Sequence, residues 1–279
     1  MITPARFKYA AWAMFVVGLA IYGTQDPEEN PTAFLGAGLM IFGLLLHFRA
    51  RQLSARQHTT ATLRLASPGN FVLYLRAFET DSSSPASVLL SGLTTDEEQL
   101  ATVLRPFGEL RAIGRPGERL PLPGAKRTYA SDDQWRSEVH QGLRTAQLVV
   151  VRVGKGSGLY WEVEQAFSNV RPDRLILLVL RTPADDYREL SALIYSKLGI
   201  QLPVVPRRSL FNYMLDIRGG LSASQSGLVL FDMTWSTSFS SLPQSLVRFG
   251  YNDDLRALSV ALKPVFDKHG VSWTQFARL

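Results

Sequence analysis

The sequence predicts an α/β fold: a parallel sheet with helices on both faces, preceded by a two-helix transmembrane hairpin. Three observations carry that expectation. Short apolar runs at Phe71–Leu75, Leu148–Val151 (resumed at Val153) and Leu175–Leu180 alternate with segments of helical periodicity. Such runs mark strands buried on both faces of a parallel sheet. The second run is followed by a glycine-rich turn with Gly154, Gly156 and Gly158, which frees the backbone at the carboxyl end of a strand, where open α/β sheets bind ligands. Two uncharged apolar segments, Tyr9–Gly23 and Thr32–Phe48, stand before all of this. The expected division is a hairpin over residues 1–56, with spans at about 8–24 and 32–48. A polar linker follows over 57–69, then one α/β domain over 70–270 with an irregular insertion at about 200–227.

Composition narrows the chemistry. Hydrophobic residues make up 46% of the 279 positions and charged residues 19%, a low charge for a purely soluble chain, and the first fifty residues account for the shortfall. Cysteine is absent, which excludes disulfides and thiolate metal sites. Four scattered histidines, His47, His58, His140 and His269, make a poor zinc site. The net charge of +6 gathers after the second apolar segment and over residues 115–127. With no basic stripe interleaved with aromatics, nucleic acid is not an expected partner.

Each apolar segment is near the lower limit of roughly 17 residues for a bilayer-spanning helix. Trp12, Tyr22 and Phe48 suit interfacial anchoring, and Gly36, Gly38 and Gly43 suit close helix packing. Arg6 and Lys8 precede the pair and Arg49, Arg51 and Arg56 follow it, whereas the connecting loop holds Asp26, Glu28 and Glu29. The positive-inside rule then puts both termini in the cytoplasm of a multi-pass inner (plasma) membrane protein. Two other readings stand beside this one: a buried helical hairpin, and a cleaved signal peptide. The latter lacks a small-x-small cleavage site and is followed at once by a second apolar segment.

In chain order, Ser67-Pro68-Gly69-Asn70 is a turn before the first strand, and Arg76 to Glu79 lie at that strand's carboxyl end. Thr95 and Glu98 form a capping-box pattern opening a helix to Leu104. Residues 108–113 read as a second strand and 114–125 as a long Gly/Pro-rich loop. Ser131-Asp132-Asp133 can cap a helix to Thr145, with Trp135, Val139, Leu143 and Ala146 at helical spacing. After the Leu148–Val153 run and its glycine turn comes a helix bearing Trp161, Glu162 and Glu164. Further helices are expected at Asp185–Leu198 and Asn252–His269, with a last strand at Leu228–Phe231. The order argues for a parallel sheet throughout.

Three stretches together resemble a bacterial TIR-like domain: FVLYLRAFETD at Phe71–Asp81, AIGRPGERLPLPGAKRTY over 112–129, and VVVRVGKGSGLYWEVEQAF over 149–167. The resemblance covers residues 70–180 best. It implies a flavodoxin-like sheet and cleavage of the nicotinamide–ribose bond of NAD, with NAD as substrate and no other cofactor. Defence signalling and homo-oligomers formed through the domain are also implied. On that reading Glu162 is the catalytic carboxylate. Arg76 and Phe78 line the crevice, Arg115, Lys126 and Arg127 contact phosphates, and Ser157 and Trp161 complete the substrate site. The chemistry suits a lone carboxylate: nicotinamide leaves as an already cationic group, so the main demand is stabilisation of an oxocarbenium-like ribose.

Each residue also has a plainer reading. Glu162 complements a helix dipole, Glu164 is solvated, Trp161 is a packing residue, and Arg76 belongs to a structural ion pair. The basic loop is simply solvated, and Asp132 and Asp133 form a helix cap or turn. Two other functions remain open at this level. One is a non-catalytic TIR-like module that binds a nucleotide or assembles with partners; the other is an enzyme similar to nucleoside deoxyribosyltransferases.

Overall fold

The computed structural model of the chain describes residues 4–24, 32–57, 69–77, 95–114, 124–180, 182–205, 226–242 and 251–272. Phe78, Arg115, the linker after Gln57 and most of the insertion expected at 200–227 lie outside the described residues. The strands are β1 (Phe71–Leu75), β2 (Glu109–Gly114), β3 (Lys126–Tyr129), β4 (Leu148–Arg152), β5 (Leu175–Val179), β6 (Gly227–Phe231) and β7 (Thr237–Ser241). They form one seven-stranded sheet in the order β3-β2-β1-β4-β5-β6-β7. The first five are parallel, with Val72 opposite both Leu110 and Leu148. β6 runs antiparallel to β5, and β7 to β6.

The helices are α1 (Pro4–Gly23), α2 (Thr32–Gln57), α3 (Asp96–Leu104), α4 (Asp132–Thr145), α5 (Ser157–Asn169), α6 (Ala184–Leu198) and α7 (Tyr251–Lys268). Strand periodicity sends alternate side chains to two cores. Phe71, Leu73, Leu75, Val149, Val151 and Leu177 meet Val139 and Leu143 of α4, Leu159 and Val163 of α5, and Leu190 and Ile194 of α6. Val72, Tyr74, Leu148, Val150 and Ile176 meet Leu100 and Val103 of α3 and Leu262 and Phe266 of α7 on the other face. Burial of each such aliphatic side chain contributes about 1.5–3 kcal/mol. The continuous apolar runs in β1, β4 and β5 follow directly from cover on both faces.

The expected strand–helix alternation holds through α6 apart from β3, which follows β2 with no described helix between them, and then fails. Val179 pairs with Gly227 and Ile176 with Leu230, so β6 starts at the carboxyl end of β5 and runs backwards. Strands β3 (KRTY) and β7 (TSFSS) escape an apolar criterion because they are the two sheet edges. An edge strand is held by ladder bonds on one side and needs no apolar run.

The membrane expectation is overturned. Among the described residues no helix is long and apolar enough to cross a membrane, so a multi-pass inner-membrane placement with cytoplasmic termini loses its basis. At 1.5 Å per residue the uncharged stretches in α1 and α2 reach only about 22 and 25 Å, against a hydrocarbon core of about 30 Å. Charged residues supply the remaining length, Arg6 and Lys8 in α1 and Arg49, Arg51 and Arg56 in α2. The two helices pack antiparallel through small residues. A Cβ on Gly18 would stand 2.6 Å from the Gly36 carbonyl, and one on Gly36 2.7 Å from the Tyr22 nitrogen.

One glycine controls the entry to β3. Gly124 has φ +128°, and a Cβ there would come within 2.5 Å of the backbone of Glu97 and Glu98 at the start of α3. Gly124→Ala combines backbone strain with a backbone clash and is expected to destabilise the fold by about 2–4 kcal/mol. Denaturant unfolding of the full chain measures it.

Candidate functional site

The strand order creates a topological switch point. Helix α3 follows β1 and covers one face, whereas α5 follows β4 and covers the other. Neighbouring strands β1 and β4 therefore send their crossovers to opposite sides, and the carboxyl ends of such a strand pair are where the ligand crevice of an open α/β sheet lies. Arg76 lies one residue past β1 and Arg152 is the last residue of β4. Both continue the alternation of Val72–Tyr74 and Leu148–Val150, toward the α3 face.

Arg76 and Arg127 converge on one carboxylate. Arg76 Nε stands 3.2 Å from Glu97 Oε1, and Arg127 Nη2 donates to both Glu97 oxygens at 3.1 and 3.3 Å. All three residues are at most 6% exposed. Glu97 comes from the first turn of α3, where the dipole favours an acid. The cap is the expected box: Glu98 N donates to Thr95 Oγ1 at 3.2 Å, and Thr95 N to Glu98 Oε2 at 2.9 Å.

Arg152 is held more loosely. Its Nη1 is 3.7 Å from Asp96 Oδ2, and its guanidinium serves the Tyr74 hydroxyl, whose acidity is weakened chiefly by complete burial and partly restored by Arg152. Its Nε is buried with no hydrogen-bond partner among the described residues. Among the described residues Arg76 and Arg127 thus share Glu97, while Arg152 stands beside Asp96.

Glu162 stands on the other face. It lies in the second turn of α5, 3% exposed. Trp135 Nε1 of α4 donates to its Oε1 at 3.2 Å, and its Oε2 has no partner among the described residues. Burial pushes the carboxyl up to about 8, against the opposing pull of the Trp135 bond. At neutral pH burial therefore favours the protonated, uncharged form. Trp161, next in line, packs its ring 4.9 Å from that of Trp135 and edge-on to His140, with the Arg136 guanidinium 5.4 Å above it. Trp161 is therefore an α4–α5 contact. A Cβ on Gly158 would make only ordinary contact with the Trp135 ring, at 3.8 Å.

The remaining expected residues scatter. Lys126 precedes Arg127 on β3 and so projects to the opposite face, where it pairs with Glu109. Ser157 opens α5, exposed, at the mouth of the crevice. Lys155 in the glycine turn reaches away to Asp186 of α6 at 3.0 Å. The structure thus joins Arg76 with Arg127, and Trp161 with Glu162, but the sheet lies between the two groups. Among the described residues no cluster suited to a metal ion occurs.

Sequence reasoning passed over Glu97, Arg152, Tyr74 and Trp135 as site members. One signal was available for Arg152: β1 and β4 each end an apolar run in arginine, FVLYLR and LVVVR. Glu97 is hidden between the two acids that flank it in the capping box.

Glu162 sets a pH dependence. The unfolded chain ionises this carboxyl near 4.5 while the folded one keeps its proton to about 8. Folding stability from this group is full below pH 4.5 and is lost progressively as pH rises to 8, by roughly 3–5 kcal/mol. Glu162→Gln, a neutral replacement, should flatten that slope and be more stable than wild type at pH 8; urea titrations across pH 4.5–8.5 decide it. No known protein family, curated protein or solved structure matches the chain.

Proposed function

We propose that the chain is a TIR-like module that binds the phosphates of a dinucleotide such as NAD in the crevice between β1 and β4. The observation that carries this reading is Arg152. It is a largely buried guanidinium at a topological switch point, whose Nε has no hydrogen-bond partner among the described residues and whose nearest carboxylate, Asp96, is 3.7 Å away. A guanidinium suits phosphate oxygens, and the glycine turn and the start of α5, which follow Arg152 in the chain, bring backbone N–H groups to the same end of the sheet. Arg76 and Arg127 hold the cluster in place through Glu97. The stretches that resemble a TIR-like domain, LRAFETD and GSGLYWE, follow neighbouring strands, and the helices divide between the two faces as a flavodoxin-like layout requires.

A second reading, hydrolysis of the nicotinamide–ribose bond, is favoured by the unpartnered Oε2 of Glu162. It asks for a carboxylate, whereas Glu162 is neutral below about 8. The two readings separate in one experiment on the full chain with NAD, following heat of binding and free nicotinamide at pH 7 and 9. Binding without release is expected. Arg152→Met should weaken binding about tenfold or more, and Glu162→Gln should leave it unchanged. Absence of binding by NAD and ADP-ribose removes the proposal. Release that rises through pH 8 and disappears in Glu162→Gln establishes hydrolysis instead.

A further inference from the structure

A second cleft lies at the opposite end of the sheet, between the β6–β7 turn and the last turns of α7. Its volume is ≈ 240 Å³, below the roughly 300–1,000 Å³ of sites for drug-sized ligands. Leu175, Leu230 and Val265 form an apolar floor, and Asp232, Lys268 and Ser238 stand on the rim.

The rim is rigid. Asp232 Oδ1 accepts from Thr234 N at 2.8 Å, Thr234 Oγ1 at 2.6 Å and Ser236 N at 2.9 Å. Trp235, in a left-handed conformation with φ 63°, locks the turn by stacking on Phe167 at 4.9 Å. All three bonds use one oxygen, so Oδ2 remains open among the described residues. Lys268 closes α7 and spends one N–H on the Phe231 carbonyl at 3.3 Å. The bonds from Thr234 and Ser236, with a smaller contribution from Lys268, hold the Asp232 carboxyl below its usual range, so it is ionised at neutral pH. Asp232 and Lys268 form no ion pair with each other. The third charged group on the rim, Asp173, is taken in a two-bond pair by Arg171, at 2.8 and 3.2 Å.

We infer that this cleft binds a small zwitterion with an apolar tail, of the class of the free aliphatic α-amino acids. The ammonium group meets Asp232 Oδ2, the carboxylate meets Lys268 Nζ and the Ser238 hydroxyl, and the side chain lies on the Leu175–Leu230–Val265 floor. Two opposite charges held apart over an apolar floor match the two heads and one tail of such a molecule. A one-headed ligand leaves one rim charge without a partner. The site is independent of the β1–β4 crevice.

Isothermal titration of the full chain with L-leucine tests this, alongside isoamylamine (no carboxylate) and 4-methylpentanoate (no ammonium). Saturable binding of L-leucine is expected, with each analogue weaker by about tenfold or more. Asp232→Asn keeps the turn's acceptor oxygen and removes the charge; Lys268→Met keeps the stem. Each should weaken L-leucine by about tenfold or more with an unchanged melting temperature. No saturable heat from L-leucine, or either analogue binding as tightly as L-leucine, overturns the inference. So does wild-type affinity in both variants. The analogue comparison needs no variant and holds if a substitution harms folding.

Discussion

The carboxyl end of the parallel sheet depends on one buried carboxylate shared by two guanidinium groups. Glu97 draws together the end of β1 through Arg76, the edge strand β3 through Arg127, and the first turn of α3 on which it sits. Its two oxygens each have a cation, so the desolvation of three charges is offset by close geometry on both sides. Without the carboxylate, two buried cations would face each other, a change that typically costs about 3–5 kcal/mol in buried pairs. The edge strand depends on this link most, because its four residues pair on one side only. The third arginine, Arg152, stands outside this pair and serves Asp96 and the Tyr74 hydroxyl instead.

Much of the parallel core was legible in the sequence for one reason. Strands buried on both faces cannot afford polar residues, so β1, β4 and β5 announce themselves as unbroken apolar runs. The α3 capping box was equally plain, since its two reciprocal bonds need side chains at a fixed spacing. Edge strands β3 and β7 had no such constraint and left no mark. The reversal into β6 was invisible because direction depends on where the preceding chain travels, and no residue in GLVLF encodes it. The hairpin's uncharged runs were read as spans although their length falls short of the hydrocarbon core; close glycine contacts between the two helices explain the same small residues.

The site was legible in its parts and illegible in its arrangement. Arg76, Arg127, Trp161 and Glu162 all carry structure, yet strand order decides which share a face. Adjacent β1 and β4 send α3 and α5 to opposite sides, so Arg76 and Glu162 are divided by the sheet however close they look in sequence. Adjacent residues Lys126 and Arg127 are divided likewise by the pleat of β3. Burial then changes what Glu162 can do: beneath two tryptophans it is a hydrogen-bonding acid before it is a charge.

Gly124 has a consequence beyond stability. A position where the backbone is left-handed and the nearest atoms are main-chain atoms of another element has no compensating substitution, because neither a rotamer change nor a smaller neighbour makes room. Surface loops around it are free to drift over generations while this residue is not. In any lineage that keeps the α3–β3 junction, a glycine standing two residues before the strand's first residue will persist as a fixed point, and distant descendants can be recognised by it after the rest of the loop has diverged.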